Sequence, residues 1–376
     1  MSEPSSNRPL ALFVAGGTGG HLYPGIAVAR AFREAAPSWD VLFVIRRGDL
    51  GREALEREGL AVREITGQGM PRAVTWRALL FPFRFFTGAW EAWRLVRKHK
   101  PRAVIGMGGY LSFPVLLAAH LQHIPTFIHE QNVLPGLANR ILARWVNAAA
   151  VSFPDSQSRL TSKQVWVTGL PVRQEIGKVS SLDGKKAFGL DPEKITFLIF
   201  GGSQGAQHLN EILLDVWGKL SPETDRFQVL HITGPSHQAA METAYRSLPV
   251  QSVVLGYCHD MPSAYAAADL VICRAGASTI AELLAAERPS ILVPFPFASK
   301  NHQLLNARVL EKEGLAEVIE ERKLDPEVLA SHLRKLTAHP EILQAWQTRF
   351  TSSQLPEMPK EAALRFVTNI KKTLDV

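Results

Sequence analysis

The stretch Leu270-Val-Ile-Cys-Arg-Ala-Gly-Ala-Ser-Thr-Ile-Ala-Glu-Leu-Leu284 is followed by Pro289-Ser-Ile-Leu-Val-Pro-Phe295 and then Asn301-His-Gln-Leu-Leu-Asn306. It reads as strand, tight turn, helix, strand, loop, helix. Leu270 to Cys273 is an apolar run of buried-strand length. Gly276 lets the backbone turn, and a helix beginning at Thr279 buries Ile280, Leu283 and Leu284. Its first N–H groups then point past the strand end, where they and the helix dipole suit an anion such as a diphosphate. Glu282 lies one turn in, placed to accept from a ribose hydroxyl. Thr279-x-x-Glu282 is equally a capping box, and one carboxylate oxygen can serve each role.

The same alternation runs through the chain on both sides of this stretch. Candidate strands in the first half are Leu10–Ala15, Val41–Ile45, Ala103–Met107, Thr126–His129, Ala148–Phe153 and Val165–Thr168. In the second half they are Thr196–Phe200, Val229–Thr233, Val253–Gly256, Leu270–Cys273 and Ile291–Pro294. Strands alternating with helical segments predict an α/β chain with doubly wound parallel sheets. Two such series predict two Rossmann-like domains facing a cleft, with ligands beyond the C-terminal strand ends. The expected division is 1–170, with a helix over 356–376 packing back on it, and 171–355. The boundary falls near Gly169-Leu-Pro-Val-Arg173.

Composition narrows the class. The 376 residues are 46% hydrophobic and 20% charged, an ordinary globular balance. Two cysteines, Cys258 and Cys273, are too few for a disulfide framework and suit a reducing, cytoplasmic setting. The apolar run after the polar N-terminus is too short for a signal-peptide core, and no uncharged apolar stretch is long enough to span a bilayer. His, Cys and carboxylates show no metal-ligand spacing. Residues 1–170 carry 20 Lys+Arg against 11 Asp+Glu, and the remainder 22 against 24. The basic half points to an anionic partner: nucleic acid, anionic lipid or a phosphorylated substrate.

Three glycine-rich turns follow strands: Gly16-Gly-Thr-Gly-Gly-His21, Gly106-Met-Gly-Gly-Tyr110 and Gly201-Gly-Ser-Gln-Gly-Ala206. The first opens a helix from Pro24. None has the phosphate-binding Gly-Lys-Ser/Thr of a P-loop, and none is a clean G-x-G-x-x-G. Each alone is compatible with tight packing; three in one topological position argue for a phosphate-rich ligand. His129-Glu-Gln-Asn132 places four polar side chains at a strand end, either as a site or as helix caps. His21 either lines the site or simply bonds its glycine turn.

Residues 70–100 carry an aromatic and basic stretch in which Pro82 is expected to break the helix. After it, Phe83, Phe86, Trp90 and Trp93 fall on one helical face and Arg84, Arg94 and Lys98 on another. Such a segment suits an interfacial membrane helix, or a core-packed helix with a solvated basic side, with exposure expected in the loop around Trp76 to Phe81.

The Gly16–His21 turn, Gly106–Tyr110, His129–Asn132, Gly201–Ala206 and the 273–306 stretch, in this order, resemble the MurG family of peptidoglycan N-acetylglucosaminyltransferases, in glycosyltransferase family 28. The resemblance spans nearly the whole chain. It implies a GT-B fold and a metal-independent, inverting transfer needing no cofactor. The implied donor is UDP-GlcNAc and the acceptor undecaprenyl-diphospho-MurNAc-pentapeptide (lipid I), joined in a β-1,4 linkage to give lipid II. It also implies a peripheral place on the cytoplasmic face of the bacterial inner membrane, held through the 70–100 region on anionic lipid, and no nucleic-acid partner.

Family roles carry over by position. Thr18, Gly19 and Gly20 match the loop near the donor sugar and acceptor diphosphate, Tyr110 matches a substrate-binding position, and Asn132 matches the residue that contacts the donor sugar from the first domain. Arg173 matches an arginine near the UDP diphosphate, Ser203 a phosphate-binding serine, and Gln303 a glutamine on GlcNAc hydroxyls. Ala277, Ser278, Thr279, Ile280, Ala281 and Glu282 match the nucleotide-binding turn and helix start, with Glu282 on the ribose. Cys258 stands where the family often has an Ile whose backbone reads uracil, Ala275 replaces a frequent serine, and His302-Gln303 replaces a pair of glutamines. His21 is the expected catalytic base, with Glu130 behind it, since a histidine titrates near working pH unaided.

Other readings make distinct demands. Another GT-B enzyme, such as a UDP-GlcNAc epimerase or a glycolipid glycosyltransferase, is expected to lack the 106–110 and 129–132 motifs. A nicotinamide oxidoreductase needs a clean G-x-G-x-x-G and an acid about 20 residues on, which the Gly16 turn does not offer. A non-catalytic binding protein is compatible with the same turns.

Overall fold

The computed structural model describes residues 8–16, 19–49, 51–67, 81–202, 205–220, 223–355 and 357–376. Two compact units form: Met1–Val172 with Glu361–Val376, and Arg173–Lys360.

The first unit holds a seven-stranded sheet in the order β3-β2-β1-β4-β5-β6-β7. Its strands are β1 Leu10–Val14, β2 Asp40–Arg46, β3 Ala61–Ile65, β4 Ala103–Gly106, β5 Thr126–Glu130, β6 Ala148–Val151 and β7 Val165–Val167. All pairings are parallel. Both faces are covered by helices, so β1, β4 and β6 inside the sheet are apolar throughout rather than alternating with polar residues. Side chains of odd and even positions go to opposite layers. Ala11 and Phe13 join a core with Phe43, Phe32 and Ile105, while Leu12 and Val14 join one with Val104, Val115 and Leu116. The terminal helix Glu357–Leu374 belongs to the first of these layers through Phe366, Val367 and Ile370.

The second unit repeats the plan with six strands in the order β10-β9-β8-β11-β12-β13. These are β8 Ile195–Phe200, β9 Phe227–Ile232, β10 Gln251–Leu255, β11 Leu270–Cys273, β12 Ser290–Leu292 and β13 Ala316–Val318, again all parallel. Phe197, Ile199, Val229, Leu270 and Ile272 pack against Leu209, Leu213 and Trp217 of the helix Gln207–Lys219.

The sequence reading misses β3 and β13. Both are edge strands. β3 carries Arg63 and Glu64 in mid-strand, half-buried, and β13 has three residues. An edge strand has one neighbour and tolerates polar side chains, so it lacks an apolar signature. Two helix starts also differ from expectation. The helix predicted from Pro24 begins at Gly19 and runs to Ala35, so Gly19, Gly20 and His21 lie in its first turn. Pro82 does not break its segment; it is the second residue of the helix Phe81–His99, a position where a missing N–H costs nothing.

In each sheet the order reverses beside the first strand, between β1 and β4 and between β8 and β11. Val14 pairs with Gly106 and Phe200 with Cys273. The glycine turns therefore leave from adjacent strand ends, at the two switch points where such sheets bind ligands.

Candidate functional site

In the second unit, β11 ends at Cys273 and the helix Ala277–Ala286 follows with Gly276 as its N-cap. Thr279 is thus the third helical residue, and no side chain caps this end. The expected capping box is not formed, because the helix starts two residues earlier than its polar pattern predicts. Glu282 is engaged elsewhere. Its Oε2 accepts from the buried Tyr265 hydroxyl at 2.9 Å, and its Oε1 accepts from Arg173 Nη2 at 3.3 Å. Arg173 also donates from Nη1 to the carbonyl of His259 at 3.3 Å. The ion pair is mostly shielded, with side chains 17% and 14% exposed. A cation and a carboxylate are therefore paired beside the first turns of one helix.

Cys258, beside this cluster, is buried, and burial pushes its thiol up to about 11, so it stays protonated. Ala277, Ile280 and Ala281 are buried in the helix, and Ser278 and Thr279 are half-buried. Gln303, on the helix His302–Lys312, accepts with Oε1 from the Phe295 N–H at 2.9 Å. At the neighbouring turn, Gly205 has φ +78°, and a Cβ there would stand 2.1 Å from the Thr233 carbonyl oxygen. Glycine is required there by space as well as conformation. Thr18 and Ser203 lie outside the described residues.

In the first unit, His21 packs on the turn after β4. A Cβ on Gly108 (φ +97°) would lie 2.8 Å from His21 Nδ1 and 2.9 Å from Gln131 Oε1. The glycine therefore makes room for the imidazole. Burial lowers the His21 pKa below its ordinary 6.5, against the pull of the Gln131 side chain and the Met107 carbonyl, which favour the protonated ring. Gln131 is itself anchored by donating to the Met107 carbonyl. Tyr110 is 37% exposed beside the turn, and Asn132 is half-buried.

Glu130 does not suit the second-choice role of base. It is 2% exposed. Oε1 accepts from the Asn132 N–H at 2.9 Å and Asn132 Nδ2 at 3.3 Å. Oε2 accepts from the Gly136 N–H at 3.0 Å and Asn139 Nδ2 at 2.8 Å. Burial raises its pKa in spite of these donors. The carboxylate is the hub that shapes the 131–136 loop, so the polar cluster at the strand end is largely scaffold. His129 is scaffold too: fully buried, its Nε2 lies 2.9 Å from the Gly169 carbonyl and its ring meets Phe366 edge-on. Burial brings its pKa to about 4.

The helix Phe81–His99 buries Gly88, Ala92 and Val96 against the sheet. Phe83, Phe86 and Trp90 are 73%, 70% and 62% exposed, which overturns core packing for this face. Trp93 is half-buried against the core. Arg94, Arg97 and Lys98 are exposed and continue the same stripe toward the C-terminus at helical spacing. Arg94 is therefore on the aromatic face, not on a separate one as its spacing suggests. The loop around Trp76 and the side chain of Arg84 lie outside the described ones.

Sequence reasoning missed Tyr265 and Arg274. Both look like ordinary residues of an apolar helix and a turn, and what each touches comes from 17 and 47 positions away.

Comparison with known proteins is consistent across both units. Residues 11–151 match the glycosyltransferase family 28 N-terminal domain and residues 196–362 the family 28 C-terminal domain. A protein of Desulfitobacterium hafniense named UDP-N-acetylglucosamine–N-acetylmuramyl-(pentapeptide) pyrophosphoryl-undecaprenol N-acetylglucosamine transferase is 39% identical over 88% of this chain and 90% of its own. One of Caldanaerobacter subterraneus with the same name is 39% identical over 91% and 94%. The crystal structure of Acinetobacter baumannii MurG superposes with a TM-score of 0.72 at 27% identity, covering 97% of this chain and 99% of that one. The two parallel-sheet units are those of the GT-B fold.

Replacing Glu130 tests its scaffolding role. Glu130→Ala strands buried donors at a cost of about 1–3 kcal/mol for each one left unpaired. We expect a clear drop in melting temperature, measured by calorimetry, with a smaller drop for Glu130→Gln. Unchanged melting would show that the loop does not depend on this carboxylate.

Proposed function

The chain belongs to glycosyltransferase family 28, and from that membership we propose that it transfers GlcNAc from UDP-GlcNAc to the C4 hydroxyl of the MurNAc of lipid I, forming lipid II for peptidoglycan. The observation that carries this reading is the meeting of Arg173 and Glu282 at the start of the helix Ala277–Ala286. A sugar nucleotide presents a ribose diol and a diphosphate a few ångströms apart. The carboxylate accepts from the ribose hydroxyls. The arginine and the helix N-terminus take the diphosphate, stabilising the charge that grows on the leaving UDP. The backbone at Cys258 reads the uracil, and Gln303 donates to the sugar. Ser203 and Thr18 are assigned to phosphate and acceptor contacts by family position.

The first unit supplies the acceptor side. His21 is the base that takes the C4 proton as that oxygen attacks the anomeric carbon of the donor and UDP departs. Its lowered pKa keeps the ring neutral at physiological pH. A neutral imidazole keeps one ring nitrogen with a free lone pair, and that nitrogen accepts the proton. Tyr110, Gly19 and Gly20 line this acceptor side, and Asn132 is assigned by family position to the donor sugar. The exposed aromatics of the helix Phe81–His99 insert into the headgroup boundary while Arg94, Arg97 and Lys98 meet anionic lipid, holding the enzyme peripherally on the cytoplasmic leaflet where lipid I resides.

Radiolabelled UDP-GlcNAc incubated with a short-chain lipid I analogue tests the activity. Label transferred to the lipid is expected. Conversion of the donor to its 2-epimer without transfer would replace the transferase reading with an epimerase.

His21→Ala is expected to lower kcat by about 10²–10⁴-fold at saturating acceptor, with little change in donor KM. The acidic limb of the wild-type pH–rate profile should fall below pH 6.5 and vanish in the variant. Normal kcat with only a raised acceptor KM would assign His21 to binding the acceptor diphosphate instead.

Phe83→Ser, Phe86→Ser and Trp90→Ser combined should abolish pelleting with anionic liposomes yet preserve turnover of a water-soluble acceptor. High salt should weaken the remaining attraction of the wild type. Wild-type pelleting by the triple variant would remove this face as the membrane contact.

A further inference from the structure

Arg274 is the first residue after β11 and is 6% exposed. Its guanidinium makes a forked pair with Glu321, Nη1 to Oε2 at 3.0 Å and Nη2 to Oε1 at 2.9 Å. Nη1 also donates to the carbonyls of Val293 at 3.2 Å and Pro294 at 3.5 Å. Its Cζ lies 5.5 Å from the centre of the Phe295 ring. One cation thus grips three consecutive residues, 293 to 295, just past the end of β12. The Phe295 N–H in turn donates to Gln303 Oε1 at 2.9 Å. A carboxamide can flip, exchanging its donor and acceptor ends. Here a fixed backbone N–H holds the oxygen inward, so the NH₂ end is the one turned outward.

The chain between these anchors is held under strain. Lys300 and Asn301 adopt φ of +52° and +54° in succession, immediately before the helix His302–Lys312. Non-glycine residues are disfavoured in this region and persist where their surroundings over-determine them. The gripped 293–295 segment on one side and the helix on the other are those surroundings. Glu321, the partner, is 9% exposed. A buried ion pair is seldom more stabilising than well-packed apolar residues of the same volume. Its presence here is better accounted for by geometry than by stability.

We propose that Arg274 is a positioning residue that sets sugar selection. By fixing the 293–295 backbone it locks the Gln303 amide with its donors toward the hydroxyls of the transferred sugar. Glu321 aims the guanidinium. This rests on the reading of the second unit as the UDP-GlcNAc site. It predicts that loosening Arg274 damages discrimination among sugars before it damages recognition of UDP, whose contacts at Arg173, Glu282 and Cys258 are made by other residues.

The test compares wild type with Arg274→Lys and with the paired replacement Arg274→Met plus Glu321→Leu. The lysine keeps the charge but loses the fork. The paired apolar change avoids stranding a buried Glu321, so it keeps the experiment interpretable if a single change unfolds the chain. Each is assayed for kcat/KM with UDP-GlcNAc and with its C4 epimer UDP-GalNAc, for inhibition by UDP alone, and for melting temperature. We expect UDP inhibition within about twofold of wild type and a preference for UDP-GlcNAc reduced by about tenfold or more, as expected for loss of a hydrogen-bonding selector. Gln303→Leu should produce the same loss, and combining it with Arg274→Lys should add little, the signature of one shared interaction. An unchanged epimer preference, a fall in UDP affinity equal to the fall in kcat/KM, or additivity with Gln303→Leu would overturn the role of Arg274. Absence of GlcNAc transfer by the wild type would instead overturn the transferase reading.

Discussion

Both units depend on one constraint, the parallel pairing at which the chain reverses its direction of travel across the sheet. Val14 lies beside Gly106 and Phe200 beside Cys273. Crossovers leaving these neighbours run to opposite sides, so a crevice opens at their C-terminal ends. Each unit has its own crevice, and its candidate residues lie beside it. In the first unit His21 lies on the first turn of the helix Gly19–Ala35, against Gly108. In the second unit Glu282 lies in the helix Ala277–Ala286 that follows β11. The glycines answer the crowding: Gly108 yields to an imidazole and Gly205 to a carbonyl.

Around each crevice, buried charge sets geometry. Glu130 gathers four donors and shapes the loop beside His21. Arg274 and Glu321 grip the segment leading to Gln303. In both cases a charged group is withdrawn from water and compensated almost entirely by hydrogen bonds. This is a costly way to gain stability and an effective way to hold a backbone in one conformation. The solvent-facing counterpart is the helix Phe81–His99, whose exposed aromatics pass into exposed cations along one stripe. In water that arrangement leaves apolar area exposed; an anionic interface offers each half a matching medium.

Most of the architecture was legible in the residues because parallel strands buried on both faces are written as uninterrupted apolar runs. Eleven runs matched strands of the two sheets. Two of the four edge strands were not legible, since Arg63 and Glu64 in β3 and the brevity of β13 erase that signal. Helix starts were misplaced at Thr279 and Pro24 because capping preferences mark the usual solution. Gly276 and the glycines before His21 permit another.

By itself, the sequence determined the alternation of strand and helix, the glycine turns, the basic charge of the first half and the residue types around the turn after β11. Each is a local property, readable from composition and spacing. Tertiary structure alone decided what those side chains do. It turned Glu130 from a candidate base into a loop hub, joined Glu282 to Tyr265 and Arg173, and brought Arg274 to Glu321 across 47 positions. The reason is physical. A carboxylate's role depends on which donors reach it and how much water it keeps, and both are set by chain segments that meet only after folding.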